Sequence, residues 1–380
     1  MGCNVCRPSD QESQLKLSRE LGANKMKFNK TNTQMKEDYN NFINLFENNL
    51  QYIGKYITPQ DFNSTIPEDV QNYMVEHPLD ATNKLNNNFE TYEVKPVEFK
   101  NGNKYFGNWN ENLKMEGIGK YILKEDNVLA EGIWRNGDLH YARVFLPNGD
   151  IYEGEMKDSE FNGKGKMTYS NGDIYEGDFI KGERNGKGKF VFEDKTEYEG
   201  DFEKGEFKGK GKIKWTNGYE YSGDINGLKL SGLGVLSKQN GEVYEGNFDN
   251  SLFNGRGKYT FQNGDVYEGD FQYGVKKGKG IYKSLNLYEY DGEWDNDFPC
   301  GVGKLFNWNK TGILKSFWRY GNIAEDPIYE VGTQEDFKDI DLNIKPQIMN
   351  LNTKELSHLE ILDINASQYN LGTFPSFLED

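Results

Sequence analysis

The sequence predicts an all-β chain of repeated antiparallel hairpins, and three observations carry that prediction. A motif recurs every 23 residues without a slip, the residues within it alternate with a period of two, and glycine and aromatic residues dominate the composition. Aromatics make up 14% of the 380 residues, with 43 glycines, against an apolar total of only 35%. A thin β architecture suits that balance better than a thick helical one.

The repeat has two parts. The first begins at Tyr152, Tyr175, Tyr198, Tyr221, Tyr244, Tyr267 and Tyr290, reading YEGDF at Tyr175, Tyr198 and Tyr267 and close variants elsewhere. The second is a Gly-x-Gly in the same phase: Gly163/Gly165, Gly186/Gly188, Gly209/Gly211, Gly232/Gly234, Gly255/Gly257, Gly278/Gly280 and Gly301/Gly303. Two weaker units precede them. Tyr105 and Trp109 open the array with Gly117/Gly119, and the unit at Ala130 has HYA, from His140, in place of its Gly-x-Gly. A further unit is due near Ile313, where ILKSFW has lost its glycine.

Within one unit, alternation places Tyr175, Gly177 and Phe179 on one face and Glu176 and Asp178 on the other. Residues 181–185 carry turn chemistry, and GKGKF from Gly186 alternates again, so the two halves make an antiparallel hairpin. Asn-Gly steps such as Asn171-Gly172, Asn217-Gly218 and Asn263-Gly264 return the chain to the next Tyr. A hairpin symmetric about its turn sets Tyr175 opposite Phe190, Gly177 opposite Gly188 and Phe179 opposite Gly186. Both glycines of each pair then leave room for rings to lie across the neighbouring strand. The same register sets Glu176 opposite Lys189 and Asp178 opposite Lys187, pairs that contribute about 0.2–1 kcal/mol each.

The aromatic face is thus Tyr105, Trp109, Tyr152, Tyr175, Phe179, Tyr198, Phe202, Tyr221, Tyr244, Phe248, Tyr267, Phe271, Tyr290 and Trp294. These rings either pack against one another or offer an interaction surface. In register over more than half the chain, the pattern resembles the MORN repeat (membrane occupation and recognition nexus). The resemblance implies an elongated, single-layer hairpin array and a scaffolding role, with no activity implied.

About nine repeats fill 101–320. Before them, 37–100 reads as a helical or irregular cap, and Met35, Tyr39, Phe42, Phe46 and Ile53 recur at helical spacing up to Gly54. After them, 321–380 is acidic, with a short helix expected at Leu356, Leu359 and Leu362 behind the N-cap Thr353. These flanking helices either cover the sheet ends or dock on a partner.

The net charge of −16 argues against nucleic acid as a partner. Only residues 1–36, expected to be disordered, are basic, at +4, whereas residues 320–380 carry −9. The chain starts MGCNVC. Gly2 suits N-myristoylation and Cys3 and Cys6 suit S-palmitoylation, a pattern resembling the doubly acylated N-termini of Src-family kinases, although Cys6 stands where the consensus has Ser or Thr. One acyl chain binds marginally; two chains together with Arg7, Lys16, Arg19, Lys25, Lys27 and Lys30 suffice for stable attachment. A structural metal at Cys3-x-x-Cys6 would need two further ligands, and Cys300, His77, His140 and His358 are scattered. An accidental MGC is the remaining alternative. No apolar run is long enough to span a membrane or to form a signal peptide.

The lysine-rich turns satisfy no nucleotide-binding motif, and the histidines stand alone with no nucleophile context. The reading is of a non-enzymatic scaffold without cofactor, metal or small-molecule substrate, lipid-anchored on the cytoplasmic face of a membrane and presenting its sheet to protein partners. The alternative is a structural component of a ciliary axoneme or cortical cytoskeleton. Phosphoinositide binding by the repeats is a third reading, opposed by their acidic residues.

Overall fold

The computed structural model describes residues 32–79, 91–227, 229–285 and 287–344. They fall into two compact units. The first holds residues up to Ser170 together with Phe179–Gly182, and the second holds Asn171–Asp178 and the described residues from Glu183 onward. In each unit the strands are antiparallel neighbours in an open sheet.

In the first unit, α1 (Asn32–Ile53) buries Phe42, Phe46 and Ile53, while Met35 and Tyr39 are exposed. Phe42 stacks on Tyr92 at 4.2 Å, and Phe46 meets Trp109 edge-on at 5.0 Å. The helix therefore lies on the side of the sheet that carries Trp109. It stops where Gly54 opens a strand, Gly54–Tyr56, that pairs with Val97–Phe99. A Cβ at Gly54 would collide with the Glu98 carbonyl, so the crossing needs glycine.

Two short helices, α2 (Pro59–Asn63) and α3 (Glu68–Glu76), follow. Thr58 caps α2 by accepting the Asp61 N–H at 3.0 Å, with Pro59 at the first helical position. Phe62 and Ile66, with Val70, Tyr73 and Met74 beside them, pack on Phe106, Ile122, Leu129 and Phe145. Phe106 points away from its neighbour Tyr105, so this cluster occupies the other side of the sheet. Both faces of these hairpins are consequently buried, and the strand Val128–Arg135 shows almost no exposed residue.

The second unit repeats the hairpin from Glu183–Val191 to Ile313–Arg319. Its first strands alternate, as in Glu197–Glu203, where Tyr198, Gly200 and Phe202 are buried. Successive hairpin turns are tied together at the backbone. Gly205 N–H donates to Arg184 O at 2.9 Å, Gly227 to Phe207 O at 2.8 Å and Gly274 to Phe253 O at 2.9 Å. At the far end Ile313–Arg319 takes the place of a first strand, with Ser316 opposite Gly303 and Trp318 opposite Gly301.

Candidate interaction surface

Seven hairpins from Tyr152 onward, and Tyr105 before them, are built around one tyrosine each. The ring of Tyr175 lies over Gly177 and Gly188, where any Cβ would overlap it, and its O–H donates to Asp178 O at 2.8 Å. Tyr152, Tyr198, Tyr221, Tyr244 and Tyr267 repeat the bond at 2.7–2.9 Å and Tyr290 at 3.3 Å. Aromatics of successive hairpins wedge against these rings. Phe202 meets Tyr198 at 5.2 Å and Tyr175 at 4.8 Å, and Phe271 meets Tyr244 at 5.2 Å, all near edge-to-face. In the first unit Phe179 meets Tyr152 in the same way at 5.1 Å. Every residue of the predicted aromatic face, including Phe248, Trp294 and Trp109, is at most 4% exposed. These rings pack against one another, and burial pushes the tyrosine hydroxyls far above their ordinary pKa.

The expectation that both glycines of each pair make room for rings needs correcting, because the structure gives them different work. Room is made only at the second. A Cβ on Gly165 would overlap the Tyr152 ring, on Gly211 that of Tyr198, on Gly257 that of Tyr244 and on Gly280 that of Tyr267. These second glycines stand opposite glycines, as the register predicts. Gly165 faces Gly154, Gly257 faces Gly246 and Gly269, and Gly280 faces Gly269 and Gly292, so the covering tyrosine reaches over from two residues along the paired strand. The Gly280 carbonyl also accepts the Trp294 indole N–H at 3.0 Å.

The first glycine of the pair is left-handed, as at Gly209 with φ +83°, and sets a bulge. Gly163, Gly186, Gly232, Gly255, Gly278 and Gly301 share that conformation, and a Cβ there would first meet an acidic or amide side chain, such as Glu155 at Gly163. The bulge corrects the symmetric hairpin too. Tyr198 faces Ile213, Glu199 faces Lys212 and Gly200 faces Gly211 as expected, but the register then shifts, and Phe202 faces Phe207 rather than Gly209. Asp201 is left opposite the bulge, where its carboxylate accepts the Lys210 N–H at 3.1 Å. Asp178, Asp224 and Asp270 do the same for Lys187, Leu233 and Lys279. The lysine side chains turn to the following hairpin instead. Lys187 pairs with Asp201 at 2.5 Å and Lys210 with Asp224 at 2.6 Å, and these contacts hold both carboxyls below their usual pKa.

Two residues outside the repeat motif occupy its buried side. The position held by Phe161, Phe207 and Phe253 is Arg184 in one hairpin and Lys276 in another. Arg184 lies 5.2 Å from the Phe190 ring and donates to Gly205 O at 2.7 Å. Lys276 is fully buried, its ammonium 5.0–5.8 Å from Phe261, Trp294, Tyr267 and Tyr282, and desolvation lowers its pKa to about 8 despite the nearby Asp297. Comparing each residue with its counterpart 23 positions away was the signal that could have found them.

With the rings inside, the second unit meets solvent through its outward face. Glu or Asp on first strands and Lys or Arg on second strands occupy it in alternation. The hairpin at Tyr221 departs from that rule. Its framework is intact, with Tyr221 facing Leu236 and Gly223 facing Gly234. Asp224 is kept, but three outward residues are replaced. Ser222 stands for Glu, and Leu233 and Val235 stand for the two lysines, 61% and 42% exposed. Lys212, opposite Ser222, makes no ion pair among the described residues. A cation and two exposed aliphatic side chains thus share one patch on a face that is charged in most of the neighbouring hairpins.

Tyrosine-over-glycine hairpins at constant period define a class of β-hairpin repeat protein. Within it, the family model for the MORN repeat matches residues 152–174, 175–197, 198–218, 244–266, 267–284 and 290–308. The chain therefore carries MORN repeats. The match skips 219–243, the stretch whose outward face is replaced. No curated protein matches the chain. Among solved structures it is similar to the wild-type TCP10 domain of Danio rerio CPAP, at 15% identity and a TM-score of 0.30, covering 47% of this chain and 84% of that one. It is also similar to the SAS-4 (dCPAP) TCP domain of Drosophila melanogaster in complex with a proline-rich motif of Ana2 (dSTIL), at 12% identity, a TM-score of 0.25 and coverages of 45% and 85%.

Among the described residues no group of His, Cys, Asp and Glu could hold a metal ion, and no helix is long and apolar enough to cross a membrane. Gly2, Cys3 and Cys6, and the helix expected from Thr353, lie outside the described residues.

Proposed function

We propose that this chain is a non-enzymatic scaffold that holds a protein partner on the outward face around Leu233, Val235 and Lys212. One observation carries the reading. Each hairpin is an internal control for the others, and here the residues that build the hairpin are retained while three outward residues change together. Neither Tyr221 nor its glycines require an exposed leucine, so the cluster has the character of a contact site. Gly2, Cys3 and Cys6, acylated, would hold the scaffold on the cytoplasmic face of a membrane, with the basic residues of 1–36 against anionic lipid.

The double variant Leu233→Lys/Val235→Lys gives the hairpin the residues its neighbours already have, so folding is expected to be unchanged. Proximity labelling in cells, wild type against variant, is expected to lose a discrete set of neighbours. Burying the two side chains contributes about 2–4 kcal/mol, so the expected drop in affinity exceeds about 30-fold. An unchanged set would remove the site. Gly2→Ala, scored by alkyne-myristate labelling and fractionation, tests the anchor. Loss of label with release from membranes supports it, whereas unchanged retention on a detergent-resistant cytoskeleton favours the axonemal or cortical reading. Phosphoinositide binding has less support, because most of the outward lysines already face carboxylates.

A further inference from the structure

The outward face turns apolar again at the end of the second unit. Val302 replaces the lysine found at Lys187, Lys210 and Lys279, and it faces Phe317, which stands where an acidic residue is expected. Ile328, on the next strand over, faces Lys315 and belongs to the same side. Val302 is 53% and Ile328 64% exposed, with Phe306 and Ile313 half-buried beside them. Lys304 takes Glu330 as its partner at 2.6 Å. Lys315, directly opposite Lys304, makes no ion pair among the described residues. The result is an apolar patch with an unmatched cation at its centre.

The first unit shows what such a face is for. There, Phe106, Ile122, Leu129 and Phe145 occupy the corresponding outward side and are covered by α2 and α3 from the same chain. Downstream of the C-terminal patch, residues 353–363 read TKELSHLEILD, with Leu356, Leu359 and Leu362 on one helical face and Glu355, Glu360 and Asp363 around it. The described chain ends beside the patch, where Ile344 N–H donates to Gly321 O at 2.9 Å. Residues 345–352 can extend about 27 Å at about 3.4 Å each. Gly321 lies only four residues beyond Phe317, about 13 Å along the strand direction.

We propose that residues 353–363 form an amphipathic helix seated on Val302, Phe317 and Ile328, its leucines on the apolar patch and its carboxylates towards Lys315. The second unit then closes as the first does, with a helix of its own chain over the outward face. The leucine face supplies the burial and the acidic rim supplies the charge that the strands lack.

Hydrogen exchange on the full-length chain tests this, comparing wild type with Val302→Lys and Leu359→Lys. Val302→Lys restores the residue of neighbouring hairpins, so protection of Leu305 and Leu314 is expected to persist and to serve as the folding control. In wild type, amides 356–362 are expected to exchange at least about tenfold more slowly than an unstructured segment, and each variant is expected to abolish that protection. Exchange at unstructured rates in wild type overturns the proposal. So does protection that Val302→Lys leaves intact, or protection that grows with protein concentration, which would place a second copy on the patch.

Discussion

Residues 104–168 and residues 183–307 are built from the same hairpin, yet they bury it differently. In the first unit the outward side carries Phe106, Ile122, Leu129 and Phe145, and the helices α2 and α3 close over it. In the second the outward side carries acids and lysines in solvent, and burial is confined to the tyrosine side. The contrast separates two sources of stability. The rings over glycines suffice to form a hairpin and to join it to its neighbours. A second apolar layer adds about 1.5–3 kcal/mol for each large side chain it buries, and among the described residues that gain belongs to the first unit.

Charge follows the same division. In the first unit Arg143 is buried, bound to Glu131 at 3.2 Å and Glu153 at 2.7 Å, and it also donates to the His77 carbonyl at the end of α3. Burial raises the pKa of Glu131 even so. In the second unit Lys187, Lys189 and Lys210 pair with acids while largely exposed. The buried group fixes a helix to the sheet; the exposed ladder offsets like charges and contributes little else.

The contrast can be broken most sharply at Phe62. Phe62→Ala removes the ring that α2 sets against Phe106, at an expected cost of about 3–5 kcal/mol, and exchange protection should fall on strands 115–145 while strands 197–260 keep theirs. An effect spread over both sets would show that the second layer is not local.

Next in size is Lys276. Its pKa is about 8 folded and 10.5 unfolded, so the unfolded chain binds the extra proton between those values. The cost of burying the charge is fully present below pH 8 and is relieved as pH rises from about 8 to about 10.5, by up to about 3 kcal/mol. Thermal melts of wild type should therefore gain on Lys276→Phe as pH rises from about 7.5 to about 9.5, with the variant the more stable at the lower pH. A constant difference across that range would sink the assignment.

The smallest effect is expected at Lys210→Ala, which removes an exposed ion pair to Asp224. A change of about 0.5 kcal/mol or less, vanishing in high salt, would confirm that the outward ladder is not what holds the second unit. A salt-independent loss above about 1 kcal/mol would contradict it.

The hairpins, their faces and the burial of Tyr175, Phe179 and their counterparts were legible because they depend on neighbours in sequence: alternation, turn residues and a constant step. Helix α1 was legible for the same reason, its apolar residues recurring at helical spacing before Gly54. The helices α2 and α3 were not, because five and nine residues are too few to display a period. The separate duties of Gly209 and Gly211 were hidden as well, since both are glycine and only the backbone angle tells the left-handed one from the one beneath the ring. The patch at Leu233 and Val235 was visible as departures from the repeat, but its exposure was not, because only the packing of the rings leaves the outward side as the accessible one.

What the sequence by itself determined is the repeating hairpin: a tyrosine, the glycines its ring covers and the strand pair that carries them, all set by contacts within 23 residues. Only the tertiary structure decided how hairpins are joined. Once the left-handed glycine brings two extra residues into its strand, each aspartate is occupied by a backbone N–H of its own hairpin, and the lysine must find its partner in the next one. That exchange of partners depends on the geometry of two strands meeting out of register, which no count of residues along one strand contains.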